Sequence, residues 1–318
     1  MPRVPLAELR HRTDAWAAAV RRTPGVSPLC SGPLWQLAAH DFLHPDPPPR
    51  EHFIVEDAGN WMIFSVRRED GVCFPLESSW MFGSALAGDP AGLVDMLLAT
   101  PRLLPRPTGL CLGGIRCGGP LHDTLRGLDP LVRRYAEFPV TECMLIDLGG
   151  GVEPWLARRS RSFRRTLRDA GKGKDIEIVT AGDTSPDALF ARILAIQKQT
   201  YKWREGTDIF QSPGYVGFYR SLLEGLHRQG DLRLLFARRS GEDLAYIFGG
   251  VADGSYRGLQ MSYREDVRSL GLGNRLQWEN LLRCEAEGIT RYDLGMHSPY
   301  KERWADRREE NTGIFLVV

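Results

Sequence analysis

Apolar and polar positions recur along this chain with periods that change from segment to segment, and the changes mark its elements. Leu6, Leu9, Trp16, Ala19 and Val20 predict an amphipathic helix from Leu6 to Val20, ended by Pro24-Gly25. A second helix from Pro33 to His40 runs into the stiff stretch His44-Pro45-Asp46-Pro47-Pro48-Pro49. Three strand-like runs follow, His52 to Glu56, Trp61 to Val66 and Val72 to Leu76. The turns between them, Ala58-Gly59-Asn60 and Glu69-Asp70-Gly71, are short, which predicts an antiparallel meander. A loop from Gly83 to Gly92 then precedes a helix at Leu93 to Leu98 and a strand at Gly109 to Leu112.

Thr141 to Leu148 reads as one more strand, and Gly149-Gly150-Gly151 as a flexible linker. Beyond it, Arg158, Arg161, Arg165, Arg168 and Lys172 recur at three- and four-residue steps opposite Leu156, Phe163, Leu167 and Ala170. That spacing gathers the cations on one helical face, either as a solvated surface or as a landing strip for phosphates. Ile176 to Val179 is a short strand. Ser185-Pro186 and Ser212-Pro213 announce two helices, each a hydroxyl cap followed by proline at the first helical position. Leu189, Ile193 and Ile196 give the first a core face; Tyr215, Phe218, Leu222 and Leu226 do so for the second. Between them lies an aromatic and charged loop, Tyr201 to Gly206. Strands at Leu232 to Ala237, Ala245 to Val251 and Tyr256 to Ser262 lead to the loop Arg268 to Gly273. A helix bearing Leu276, Leu281 and Leu282 comes next, ended by Gly288, and strands at Arg291 to Leu294 and Thr312 to Val318 complete the second sheet.

The two halves repeat one order of elements: meander, Gly-containing loop, helix, strand. Two domains, 1–150 and 151–318, are the expectation for a chain of 318 residues. In the first copy Asp89-Pro90 puts a negative charge and a missing donor into the loop, so that copy reads as one that has lost phosphate binding.

Composition narrows the picture further. With 42% hydrophobic and 25% charged residues and a net charge of +1, the chain reads as a soluble globular protein, and a globally basic nucleic-acid binder is excluded. No apolar run is long enough to span a bilayer and the N-terminus has no signal-like core, so a cytoplasmic location is expected. The six cysteines and seven histidines form no C-x-x-C or H-E-x-x-H spacing. Buried free thiols and no metal are therefore expected.

Arg268-Ser-Leu-Gly-Leu-Gly273 carries the chemistry. Two glycines one residue apart let the backbone turn tightly and gather several N–H groups at the positive end of the following helix, an arrangement suited to a diphosphate. R-x-x-G-x-G resembles the acyl-CoA pyrophosphate loop of the GNAT superfamily of N-acyltransferases. Tyr292-Asp293-Leu294-Gly295, followed by Tyr300-Lys301 and Trp304, resembles the FemAB-like, CelD-like branch of that superfamily. The resemblance covers roughly Glu153 to Val318.

The resemblance implies an α+β fold of two tandem GNAT-like domains, each a largely antiparallel mixed sheet flanked by helices. It implies acyl-CoA as co-substrate, held by Arg268, Gly271, Leu272, Gly273 and Asn274 together with Gln260 and Ser262 on the preceding strand. Tyr300 would protonate the leaving thiolate, and tyrosine, which ordinarily titrates near pH ~10, suits an acid role at pH 7. Strand alternation puts Arg291, Asp293, Gly295 and His297 on one face and Leu294 and Met296 on the other. Asp293 is thus either a base that orients the acceptor amine or a cap on the turn at Gly295. Lys301 would bind a carboxylate or phosphate of the substrate, while Trp203, Tyr263 and His297 would contact the acceptor. The reaction expected is transfer to the primary amine of a small molecule, by a monomer or homodimer. Aminoacyl transfer from charged tRNA, which tandem FemAB-like proteins perform, is the alternative, and a non-catalytic binding protein on the same fold is the third reading.

Overall fold

The computed structural model describes residues 2–104, 108–170 and 175–318. They form two compact units, Met1–Glu142 with Glu309–Val318, and Cys143–Arg308. The first unit opens with helices α1 (Leu6–Leu9), α2 (Thr13–Arg22) and α3 (Pro33–Phe42), so the helix expected from Leu6 to Val20 is interrupted around Arg10 to Arg12. Its strands are β1 (Glu51–Asp57), β2 (Asn60–Val66), β3 (Cys73–Pro75), β4 (Leu86–Ala87), β5 (Gly109–Arg116), β6 (Arg134–Glu137) and β13 (Arg307–Val317), with α4 (Pro90–Ala99) and α5 (Pro120–Arg126) between them. The order is β1-β2-β3-β5-β13, with β4 beside β2 and β6 beside β13. Among the described residues of this unit, β3 and β5 run parallel and the other pairings are antiparallel. Trp16, Phe53, Trp61, Phe64, Leu93, Leu112 and Ile314 fill its core.

The second unit contains β7 (Thr141–Asp147), α6 (Val152–Ala157), α7 (Arg161–Ala170), β8 (Glu177–Thr180), α8 (Pro186–Gln197), α9 (Tyr201–Arg204), α10 (Pro213–Gln229), β9 (Leu232–Arg239), β10 (Glu242–Ala252), β11 (Ser255–Tyr263), α11 (Leu272–Ala286), β12 (Arg291–Met296) and α12 (Pro299–Glu302). The strand order is β7-β12-β11-β10-β9-β8. Among its described residues only β11 and β12 are parallel, joined through α11 as β3 and β5 are joined through α4. Each unit therefore carries the same core arrangement, an antiparallel meander, a crossover helix and a parallel return strand. The tandem repeat read from the sequence is present.

Local chemistry explains most boundaries and several departures. Ser185 caps α8 by accepting from Ala188 N, but the Ser212 hydroxyl makes no cap bond, and Pro213 alone marks the start of α10. Thr312 to Val318, expected in the second sheet, pairs instead with β5 and β6 of the first. Gly149 to Gly151 form a hydrogen-bonded turn within the second unit: Gly149 N donates to Asp147 Oδ1 and Gly151 N to Leu148 O. The Tyr201 to Gly206 loop contains the single-turn helix α9, capped by Thr200. The basic segment is broken into α6 and α7 where Ser160 accepts from Phe163 N, and Lys172 lies outside the described residues. On α11, Leu276 and Leu281 are buried with Leu272 and Cys284, whereas Leu282 is 36% exposed.

Neighbouring residues of β11 point to opposite faces of the sheet. Gln260 Nε2 donates to Tyr219 of α10 at 2.9 Å, whereas Met261 lies against Gly273 of α11. α11 thus covers one face and α10 the other. Under α11 an aromatic stack closes the core. Trp155 packs on Trp304 (ring centroids 5.9 Å apart) and on Trp278 (6.3 Å), and its indole N–H donates to Trp304 O at 3.2 Å. Trp155 and Trp304 are fully buried. Trp155→Ala should cost about 3–5 kcal/mol, because the vacated volume lies in a stacked core that cannot collapse onto a smaller side chain. Urea unfolding of the variant checks this; a loss of under about 1 kcal/mol would show that the stack is not a structural centre.

Candidate active site

The site begins where two strands part. β11 and β12 pair over Ser255/Arg291, Tyr256/Tyr292 and Arg257/Asp293, and the ladder stops there. Beyond it β11 stays bonded to β10 through a bulge at Leu259, where Phe248 faces Gln260 and Gly249 faces Gly258. β12 turns away at Gly295, whose φ of +83° is natural only for glycine, and its register against β7 slips between Asp293 and Gly295. Among the described residues, β11 has no ladder partner on that side from Gly258 onward. Alternate backbone N–H and C=O groups there face an open fork.

The rung below the fork is closed. Tyr256 and Tyr292 are both fully buried, with ring centroids 4.3 Å apart. The Tyr292 hydroxyl accepts from Gln277 Nε2 and Asn280 Nδ2 of α11, each at 2.6 Å. These buried polar bonds fix the crossover helix to β12, and so set where its N-terminus lies.

That N-terminus is open. The loop Arg268 to Gly273 becomes a tight turn, Glu265–Leu270, and then Gly271 in the left-handed region (φ 65°, ψ 28°) directly before α11. Gly271 offers no side-chain cap; the Asn274 N–H turns back to Gly271 O at 3.0 Å, and the N–H groups of Leu272 and Gly273 ahead of it have no intrahelical acceptor. The helix end is thus positive and available to an anion. A cleft of about 410 Å³ lies against it, lined by Thr200, Tyr201, Lys202, Met261, Ser262, Tyr263, Glu265, Arg268, Gly271, Leu272, Gly273, Asn274 and Tyr300. That volume suits a small-molecule ligand.

The structure brings together most of the residues singled out in sequence. Arg268, Gly271, Leu272, Gly273, Asn274, Ser262, Tyr263 and Tyr300 share the cleft wall. The Tyr300 hydroxyl donates to Gly273 O at 3.4 Å. Burial pushes its pKa above the ordinary tyrosine value, offset in part by the charge of Arg303, so the phenol stays protonated at neutral pH. Gln260 is turned to the opposite face, on Tyr219. Trp203 lies outside the lining; its neighbours Tyr201 and Lys202 supply that wall. His297 is paired with Glu302 at 3.3 Å near the surface.

Asp293 is committed within the fold. Its Oδ2 accepts from Arg257 Nη1 at 2.5 Å and its Oδ1 from Gly295 N at 2.7 Å, with both charged side chains 11% exposed. This is the turn cap anticipated as one of its two readings, joined by an ion pair that the sequence did not reveal. Strand alternation fails beyond it, because the turn at Gly295 rotates the chain and leaves Met296 48% exposed. Lys301 Nζ donates to Met296 O at 3.0 Å. Burial, and next the charge of Arg257, push its pKa below the ordinary lysine value.

Arg257 and Thr200 give no signal in the sequence, whereas Lys202 lies in the aromatic and charged loop singled out there. Arg257 carries no motif, since its partner is remote along the chain and is found only when β11 and β12 pair. Thr200 caps a helix too short to show periodicity.

Residues 157–302 match the family described as an acetyltransferase (GNAT) domain. Among solved structures, the chain is similar to FemX at 12% identity, over 94% of this chain and 95% of that one, with a TM-score of 0.68. It is similar to a conserved protein of unknown function from Bacteroides thetaiotaomicron VPI-5482 at 13% identity, over 99% and 98% of the two chains, with a TM-score of 0.62. A tandem GNAT protein from the clavulanic acid biosynthesis pathway is similar at 12% identity, over 97% and 95%, with a TM-score of 0.50. At such identities the likeness is one of fold. No curated protein matches the chain in sequence.

The open helix end yields a test with its own control. A Cβ on Gly273 would meet Met261 Cε at 3.5 Å and Tyr263 at 3.8 Å, ordinary contacts, so Gly273→Ala should fold and bind an anionic ligand such as coenzyme A much as the native chain does. Gly273→Asp adds a carboxylate at the positive end of the helix and should weaken that binding by about 1–2 kcal/mol, roughly 5- to 30-fold. Calorimetry with coenzyme A measures both; equal affinities for the two variants would remove the helix end from the site.

Proposed function

From a tandem GNAT-like fold, similar to that of FemX, we propose that the second unit of this chain transfers an acyl group from acyl-CoA to the primary amine of a small molecule, by direct attack in a ternary complex. The observation that carries the reading is the cleft itself: an uncapped helix N-terminus, an unpaired strand edge and a half-buried tyrosine hydroxyl meet on one wall. A diphosphate suits the N–H groups of the first turn of α11, with Arg268 as an added cation. An extended thioester arm suits the free edge of β11, whose N–H groups can polarise the carbonyl.

In the reaction proposed, the amine nitrogen forms a bond to the thioester carbon, the carbon–sulfur bond breaks, and the thiolate takes a proton from Tyr300. The acceptor must also lose a proton before or during attack. Asp293 is a poor candidate for that step because both its oxygens already accept hydrogen bonds. Lys301 follows Tyr300 on α12 and has a lowered pKa; it does not line the cleft, so in this proposal it takes the proton through a relay, and Asp293 serves to hold the turn beside it. Tyr201, Lys202 and Tyr263 are the proposed acceptor contacts on the cleft wall.

One observation favours a donor with a longer anionic body. Arg161, Arg164, Arg165 and Arg168 are all exposed on α7, and a Cβ on Gly271 would lie 3.8 Å from Ala170 Cβ at the end of that helix. If charged tRNA were the donor, reversal to Glu at Arg161 and Arg165 should abolish most of its binding and flatten its salt dependence, while coenzyme A binding changes little. Unaltered tRNA affinity in the reversed variant would leave those arginines as a solvated face.

The central test is Tyr300→Phe assayed by thiol release from acyl-CoA with a panel of amines. Turnover should fall by about 100- to 10,000-fold, the usual contribution of general acid catalysis, with little change in KM for the donor. A loss below about fivefold, where chemistry limits the rate, would make Tyr300 a packing residue.

A further inference from the structure

The proposed transfer needs Tyr300 and Lys301 held in register with the fork, and neither residue can do this alone. Both lie on the single-turn helix α12, which is too short to hold itself. What anchors the region is the last shared rung of β11 and β12. There Arg257 and Asp293 are Cα partners, their side chains form an ion pair at 2.5 Å, and the second carboxylate oxygen takes the N–H of Gly295. Gly295 is also the meeting point of two cations. A Cβ placed on it would lie 3.3 Å from Lys301 Nζ and 3.7 Å from Arg257 Nη2. Glycine, having no side chain, puts nothing of its own between guanidinium and ammonium at this turn.

We propose that Arg257 is a positioning residue for the transfer: through Asp293 it pins the point at which β11 and β12 part, and across Gly295 it fixes where the Lys301 ammonium stands beside Tyr300. The inference rests on the acyl-transfer reading of the cleft. Arg257, Asp293 and Lys301 are all absent from the lining of that cleft, so the influence of Arg257 must reach it through α12, whose Tyr300 does line it. Burial is the largest influence against the charged form of Lys301, and the groups facing it come from four elements. Arg257 on β11 and Lys202 on α9 add to the effect of burial; Asp293 on β12 and Cys143 on β7 oppose it. Removing Arg257 therefore makes Lys301 more fully protonated at a given pH, and removing the charge of Asp293 makes it less so.

Three variants and two readouts test this. Arg257→Met keeps length but loses charge and donors, Asp293→Asn loses the charge alone, and the double variant leaves no buried charge without its partner, so it keeps the test open if either single variant fails to fold. The first readout needs no turnover. Lys301 acetylation by acetic anhydride at pH 7.5, followed by mass spectrometry with Lys198 as the internal reference, should be at least about threefold slower in Arg257→Met than in the native chain and faster in Asp293→Asn. The second is kinetic. Arg257→Met should lower kcat by about tenfold or more with donor KM nearly constant, as misplacement of a reacting group does, and Arg257→Lys should restore turnover to within about fivefold. Unchanged or faster Lys301 labelling in a folded Arg257→Met, or turnover within about twofold of native, would overturn the proposal. Absence of acyl transfer by the native chain with any donor would instead overturn the functional reading, and the labelling result would still decide whether Arg257 positions Lys301.

Discussion

Two parallel strands that pair over three residues and then separate leave backbone groups with nothing to bond, and the second unit is built around that constraint. Such a gap would close or fill with water unless the strands were held apart. The hold comes from below and from the side. Tyr256 against Tyr292 makes the last apolar rung, Gln277 and Asn280 tie Tyr292 to α11, and Arg257 with Asp293 locks the point of divergence. Breaking a buried ion pair by removing one partner usually costs about 3–5 kcal/mol, more than replacing both partners would. The pair is therefore better understood as fixing a geometry than as adding stability. Because α11 is bonded to β12 and packed on β11, its positive end is directed at the same gap that the strands leave open.

The first unit is the natural comparison, since it has the same crossover without the same opening. At the start of α4, Asp89 accepts from Ala91 N and Gly92 N, each at 3.1 Å, and Pro90 occupies the first helical position. Its carboxylate sits on the N–H groups that an anionic ligand would need. In α11 the equivalent position is Gly271, left-handed and without a side chain to cap the helix. One substitution type thus separates the two copies: an internal carboxylate caps one helix, and no side chain caps the other.

How far the sequence reveals this depends on the range over which each feature acts. The Gly271 and Gly273 pair and the strand character of β11 are local, and they are legible from spacing, while Tyr300 is legible only through the family resemblance. Ser185 is legible as a cap for the same reason, while Ser212 shows that a Ser-Pro pair can mark a helix start with no cap bond. The pairing of Thr312 to Val318 with β5 is not legible, because adjacency in sequence favours the preceding sheet and only three-dimensional packing decides otherwise. The same holds for Arg257, an ordinary strand arginine until β12 brings Asp293 to it. Strand periodicity misleads at Met296 because one left-handed glycine is enough to rotate every residue after it.

In the proposed transfer, burial explains how one short helix would supply both a proton donor and a proton acceptor. Removing water penalises whichever form of a group is charged, so it raises the pKa of Tyr300 and lowers that of Lys301. The phenol stays protonated and the amine becomes easier to find neutral, which are the two states an amine acyl transfer requires. The same burial makes the phenol a weaker acid, and that cost must be met when the thiolate leaves. The charge of Arg303 opposes the rise in the Tyr300 pKa and would stabilise a phenolate. In the proposed reaction that effect is largest once the proton has departed, so Arg303 would contribute to the transition state more than to the resting enzyme.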